Sequence, residues 1–327
     1  MILIIVTTKK EPLTLALALD GLEKELISND HLDDSEILIV GPDKETENTV
    51  RRFREKYKNI SYLKDEGRGK PAALNLAFNW LKNKYPVKSD NIIVLTDGDV
   101  YIKDQSLKYL LEPFSAEGGS ASGGKNQKVL CQPALTGQNR VGAVTGHPIS
   151  LNSRDNIFGY WSHFLTEAAH QMRLHRKNFP CSGYLYAIRQ NLIDSIPENS
   201  LSDDAVITEI VKNNKYQVVY APESIVAVKY PDNFKDWLLQ KKRSLGGYSQ
   251  CIKIGERRLK INRLRNFVQE AMGGFKLFIS YPRNIREYWW TIMLFLSRIY
   301  LWFLILIDIK LRKKSFQKIW QRIESTK

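Results

Sequence analysis

The stretch Asn91–Val100, NIIVLTDGDV, decides the fold. Ile92, Ile93, Val94 and Leu95 form an unbroken apolar run, three of them β-branched, which is the signature of a strand buried on both faces. Such strands belong to parallel sheets covered by helices. Asp97-Gly98-Asp99 follows at once, with a glycine that lets the chain turn between two carboxylates. Open α/β sheets bind ligands outside the carboxyl ends of their strands, so Asp97 and Asp99 stand where a ligand is expected.

Working outward, the same alternation recurs. Strands are expected at residues 2–6, 36–40 and 60–63, with helices at about 13–26, 46–58 and 71–84 between them. This predicts an α/β fold with a mostly parallel, doubly wound sheet. The strand-end rule then directs attention to Thr7 to Glu11, Gly41 to Asp43 and Asp65 to Lys70, within which Thr8, Glu11, Asp43, Arg68 and Lys70 are the expected contacts. Beyond the quoted stretch, strands are expected near 141–145, 184–188 and 217–220, and helices near 157–176 and 204–213. The segment SAEGGSASGGKNQ, residues 115–127, is low in complexity and reads as a flexible insertion spanning about 115–140.

Charge narrows the function classes. The 327 residues carry a formal net charge of +14, and much of the excess lies between Gln240 and Arg286, where twelve Lys or Arg face only Glu256 and Glu270. Such a block suits nucleic acid, an anionic membrane or a polyphosphorylated substrate. Directly after it, residues 288–307 are mainly apolar and include Trp289, Trp290, Tyr300 and Trp302, with Lys310, Arg312, Lys313 and Lys314 following. Aromatic residues in an apolar segment closed by cations mark a membrane boundary. Arg298 sits mid-segment, where a charge costs about 2.5–3.5 kcal/mol on insertion scales. Glu287, Thr291, Ser297, Arg298 and Asp308 fall on one helical arc. An interfacial or re-entrant helix and a single span both fit, as does a buried core helix.

The three cysteines, Cys131, Cys181 and Cys251, show no CxxC spacing, and the opening apolar run is too short for a signal peptide core. The expectation is a reducing compartment, at the cytoplasmic face of a membrane.

Several segments carry chemistry. Two carboxylates at a strand end are what Mg²⁺ or Mn²⁺ needs while it also holds a diphosphate. The stretch DEGRGKPAALNLAF brings Gly67, Arg68, Gly69 and Lys70 to the start of a helix, where backbone N–H groups and two cations make an anion site. It matches neither the P-loop nor the GxGxxG pattern. In LSDDAVITEIV, Asp203 and Asp204 open another helix, where one can cap and the other can accept a proton from an acceptor hydroxyl. Cys181 is expected to be buried and inert, and His163, His170 and His175 are too irregularly spaced for a metal set.

The order of these motifs resembles the family 2 glycosyltransferases of the GT-A fold. The resemblance runs from Ile2 to about Tyr248 through VTTKKEP, GRGKPAALN, TDGD, PCSGYLYAIR, SDDAVIT and QKKRS. It implies that Asp97 and Lys70 contact the nucleotide of a UDP- or GDP-linked sugar, that Asp99 holds the metal with Asp97 beside it, and that Asp204, next to Asp203, is the catalytic base. Gln240 and Arg243 resemble the Q-x-x-R-W motif of membrane polysaccharide synthases, with Arg243 stabilising the departing diphosphate. Ser244 stands where that motif has tryptophan, which argues against a processive synthase. Gly41-Pro42-Asp43 also departs from the paired aspartates that help read uracil in the family.

The resulting expectation is a catalytic domain over 1–235, a basic region over 236–286 and a membrane-associated helix and tail over 287–327. The partners expected are a nucleotide-sugar donor, a lipid-linked or polysaccharide acceptor and a membrane surface, without nucleic acid. The rival readings are a sugar-phosphate nucleotidyltransferase, which would carry a G-x-G-x-R loop where this chain has TTKKEP, and a basic nucleic-acid-binding protein, which would show a recognisable module.

Overall fold

In the computed structural model, residues 1–115, 140–176, 178–248, 251–254, 257–260 and 277–307 are described. Nearly all of the insertion expected at 115–140, residues 261–276 of the basic region and the tail from residue 308 lie outside them. Two compact units emerge. The first comprises Met1–Pro148, Pro180–Glu198 and Val206–Val228, and the second Ile149–Phe179, Asn199–Ala205 and Lys229–Lys327. The 1–235 stretch therefore contributes to both.

The first unit is built on the expected alternation: β1 (Ile2–Thr7), α1 (Pro12–Ser28), β2 (Ser35–Gly41), α2 (Lys44–Lys56), β3 (Ile60–Lys64), α3 (Lys70–Lys84) and β4 (Ile92–Asp97). Every residue of β1 and β2 is buried, as strands covered on both faces must be. β1 runs parallel to β2 and to β4, and β2 parallel to β3. Further on come β5 (Val100–Ile102), α4 (Ser106–Ser115), β6 (Val141–Ser150), α5 (Ile157–His175), β7 (Leu185–Arg189), α6 (Asp203–Asn213) and β8 (Gln217–Val228).

The sheet has eight strands in the order β3-β2-β1-β4-β7-β6-β8-β5. Its second half is antiparallel: β7 pairs so with β4 and with β6, and β5 with β8. The parallel portion is thus the N-terminal four strands, and the whole is a mixed α/β sheet. β5 and α4 carry little sequence signal because each is short and they sit between a turn and the low-complexity patch. β8 is twelve residues, longer than its apolar opening suggests, because Pro222 and Glu223 ride within it while Val226 to Val228 return to the core.

The second unit is helical. α5 packs with α7 (Phe234–Tyr248) and α8 (Ile285–Leu306) around Tyr160, Trp161, Phe164, Trp237 and Leu294, all buried. A two-stranded ribbon, β9 (Cys251–Ile254) and β10 (Arg257–Lys260), follows α7. Directed bonds fix the helices: Tyr160 and Thr291 share a hydroxyl hydrogen bond of 2.6 Å, and the Trp161 indole N–H donates to the Trp290 carbonyl at 2.7 Å.

Candidate functional site

The parallel register sets the site's geometry. β1 and β4 align Thr7 with Asp97, and the Thr7 hydroxyl donates to Asp97 Oδ1 at 2.7 Å. Lys70, the first residue of α3, places its ammonium 2.7 Å from the same oxygen and donates to the Gly183 carbonyl at 3.5 Å. Asp97 is 27% exposed and Lys70 21%, so the pair is braced yet reachable. Gly98 has a steric reason to be glycine: a Cβ there would lie 2.7 Å from both Cβ and Oγ1 of Thr8. Thr8, selected from sequence as a ligand contact, is buried against that turn instead, and its hydroxyl has no partner among the described residues. Thr7, which opens the strand-end stretch but is not chosen from sequence as a contact, is the threonine that reaches a carboxylate. The signal was available in the pairing of two strand ends, one residue apart in alternation from Thr8.

Asp99 and Glu11 both lie close enough to Tyr101 that their charges, added to burial, push its phenol above its usual pKa. Glu11 and Asp99 thus both stand near Tyr101. Asp99 and Asp97 offer hard oxygens. Among the described residues no group of three or more His, Cys, Asp or Glu side chains is placed to enclose a cation; a pair of carboxylates is what Mg²⁺ or Mn²⁺ uses when water and diphosphate oxygens complete its shell.

Asp43 is bound into the frame. Its Oδ1 accepts from the Thr46 amide at 2.9 Å and hydroxyl at 2.8 Å, capping α2, while Oδ2 accepts from the Lys10 amide at 2.8 Å. Burial would raise its pKa, but these donors together hold it below the ordinary carboxylate value. Tyr62, pushed to about 12 by burial and neighbouring carboxylates, donates to the Gly41 carbonyl at 2.7 Å. Asp65 next to them is raised by burial and accepts from the Gly67 amide at 3.2 Å.

The loop into α3 takes its shape from Gly67 and Gly69, with φ of +71° and +118°, a region that favours glycine. Pro71 then opens the helix without wasting an N–H. Arg68 turns outward to Glu66 at 3.0 Å and Glu198 at 3.1 Å. Asn75, which sequence reasoning does not single out, clips α3 to the segment after β7: its amide donates to the Ile196 carbonyl and accepts from the Ile196 amide, each at 2.7 Å. A lone asparagine in a helix gives no sequence cue for such a clip.

The remaining candidates belong to the second unit. α6 starts at Asp203, and Asp204 Oδ1 accepts from the Ser202 hydroxyl at 2.6 Å and from the Ala205 amide at 2.9 Å. Gln240 lies three residues after Trp237 on α7 and Arg243 three after Gln240, so each successive pair is adjacent on the helix surface. Cys181 is buried, as expected, in the first unit, where its amide donates to Thr208 Oγ1 at 2.9 Å. His163 Nε2 meets the Asn152 carbonyl at 2.8 Å.

The chain is similar to several solved structures. The mannosyltransferase PcManGT from Pyrobaculum calidifontis, solved with GDP-Man and Mn²⁺, is similar with a TM-score of 0.51 and 16% identity, over 97% of this chain and 83% of that one. TarS 1-349 of S. aureus aligns over 92% of this chain and 80% of its own, at a TM-score of 0.48 and 14% identity. Glucosyl-3-phosphoglycerate synthase from Mycobacterium tuberculosis aligns over 76% and 75%, at 0.44 and 15%. No curated protein matches the sequence. The family described as glycosyltransferase-like family 2 matches residues 2–247, three quarters of the chain, and to that family the protein belongs.

Proposed function

We propose that the protein is an inverting glycosyltransferase that moves a sugar from a UDP- or GDP-linked donor to a hydroxyl or phosphate of a membrane-associated acceptor, lipid-linked or polysaccharide, at the cytoplasmic face. The observation that carries the reading is the strand-end assembly of Asp97, braced by Thr7 and Lys70, beside Asp99 at the Asp-Gly-Asp turn. Asp97 and Lys70 orient the nucleotide end of the donor, and the opening of α3 adds backbone N–H groups. Asp99, with Asp97 beside it, would hold a divalent cation, whose charge when bound offsets that developing on the diphosphate. Arg243 adds a bidentate cation for the same leaving group. Asp204, aimed by Ser202 and Ala205, takes the acceptor's proton as its oxygen attacks the anomeric carbon and the bond to the diphosphate breaks. One displacement inverts that carbon. Asp203 supports the helix start, Glu11, Asp43 and Arg68 stand at the strand ends beside the donor, Thr8 backs the Asp-Gly-Asp turn, and Gln240 is assigned to the donor on the family resemblance.

The test is calorimetric titration with UDP and GDP, each with and without Mn²⁺, beside Asp99→Ala. Metal-dependent binding to the wild type, weakened at least ten-fold in the variant, is expected, and the tighter diphosphate names the base. Absence of binding to either, combined with salt-sensitive binding of RNA or DNA, would replace this reading with the nucleic-acid one.

A further inference from the structure

Helix α8 is built with its chemistry reversed. Its inward residues are Glu287, Thr291, Leu294, Arg298, Leu301 and Ile305, spaced i, i+4, i+7, i+11, i+14 and i+18, and all are buried. Three of the six are polar. The outward stripe, also at helical spacing, has almost the opposite character: Trp289 is 63% exposed, Leu296 61% and Phe303 59%, with Ile292, Met293 and Ile299 between them. No charged side chain interrupts that stripe between Trp289 and Phe303.

The inward side is fastened along much of its length. Arg154 donates from Nε to Glu287 Oε1 at 2.9 Å and from Nη2 to Oε2 at 2.8 Å, and its guanidinium lies 4.4 Å from the centre of the Tyr281 ring. Tyr160, Trp161 and Phe164 of α5 hold Thr291, Trp290 and Phe295 in turn.

The geometry points to α8 lying in the plane of an anionic lipid surface, outward stripe in the acyl boundary, without crossing the bilayer. By length and hydropathy the helix is able to span. To do so it would either leave α5 or carry α5 in with it, and α5 bears Glu167, His170, Arg173 and His175. A charge and a latch buried on one side, with an apolar stripe running the full length of the other, are what an interfacial helix requires. A second copy of the chain is the other occupant an apolar face suggests. Charge argues against it: Arg283 and Arg286 precede the stripe, Lys310, Arg312, Lys313 and Lys314 follow it, and the chain carries +14. Two such faces would repel, whereas anionic headgroups would attract both flanks. The aromatic Trp289 and Tyr300 suit the headgroup boundary.

The inference rests on the membrane attachment proposed above and adds its mode. The test floats full-length protein with vesicles of phosphatidylcholine alone or with one third phosphatidylglycerol, then reads depth by quenching of a dye at position 289, 296 or 303 with doxyl lipids. The dye goes on a cysteine introduced into a Cys131→Ser, Cys251→Ser background. Expected are at least ten-fold stronger binding to anionic vesicles and equal, shallow depths at all three positions. Leu296→Glu should lower vesicle binding at least ten-fold, while Leu17→Glu, a matched exposed site on α1, leaves it unchanged. UDP or GDP titration of both variants reports that the fold is intact and keeps the donor-site reading separate. Position 296 at the bilayer centre, with 289 and 303 near opposite surfaces, would overturn the in-plane mode alone. No vesicle binding, with a dimer that Leu296→Glu dissociates, would overturn the lipid assignment altogether.

Discussion

Two ion pairs of similar length, one in the proposed donor site and one in the helical unit, differ in how far water reaches them. Lys70 and Asp97 meet at 2.7 Å with about a fifth to a quarter of each side chain open to solvent. Arg154 and Glu287 meet at 2.8 Å with Glu287 almost sealed. The open pair contributes little to stability, since water competes for it, and its groups remain able to exchange partners when a ligand arrives. The sealed pair has no such freedom, and removing one member strands the other. Distance alone would not have told them apart. Glu23 completes the series as a carboxylate without a cation bound to it: it is fully buried on α1, and neither oxygen has a partner among the described residues.

The sharpest test of this contrast is activity. Asp97→Asn should lower kcat/KM for sugar transfer by about 10²–10³, the scale seen when one preorganised polar contact is lost, with unfolding by urea unchanged. A comparable loss of stability would show that the open pair is structural after all. Arg154→Met should do the reverse, costing about 3–5 kcal/mol in urea titration because Glu287 is left buried and charged, and leaving nucleotide binding by the folded fraction intact.

The pH dependence of the two buried carboxylates should have opposite sign. Arg154 holds Glu287 below its ordinary value of 4.5. Its contribution is therefore complete above about 4.5 and lost as pH falls through the lower folded-state value; Arg154→Met should flatten that acid limb. Burial pushes Glu23 up to about 7, with Lys56 only partly opposing it. Its neutral form is the one the fold accepts, so its contribution is complete below 4.5 and lost as pH rises through 7. Glu23→Gln should raise stability at pH 8 by about 2–3 kcal/mol and leave it nearly unchanged at about pH 4.5. A wild type whose stability is flat between about pH 5 and 8 would mean that Glu23 finds a partner.

Much of this is legible in the sequence. Strand–helix alternation, the Asp-Gly-Asp turn and the Gly-Arg-Gly-Lys helix start are local features, and each stands where periodicity and turn chemistry place it. The choice between Thr7 and Thr8 is not local, because it depends on the register of β1 against β4. The arc of Glu287, Thr291 and Arg298 is legible as one face of a helix. Periodicity says which residues share a face and is silent on which face is covered, and here the polar one is. Glu23 is invisible for a related reason, since LEKEL reads as an ordinary solvated stretch until α1 is seen packed.

The interleaving of the second unit bears on its synthesis. Trp161 finds the carbonyl of Trp290 across 129 residues, and Trp237 lies between them in sequence. A nascent chain can cover Trp161 in part with Trp237. It must carry the rest of the aromatic side of α5 uncovered until α8, well over a hundred residues on, has left the ribosome, a long interval for an exposed apolar surface. The same reasoning governs truncation. A chain cut at residue 247, where the family match stops, would lose the cover over Tyr160, Trp161 and Phe164 together with the helix, and would yield an aggregating fragment in place of a soluble catalytic domain.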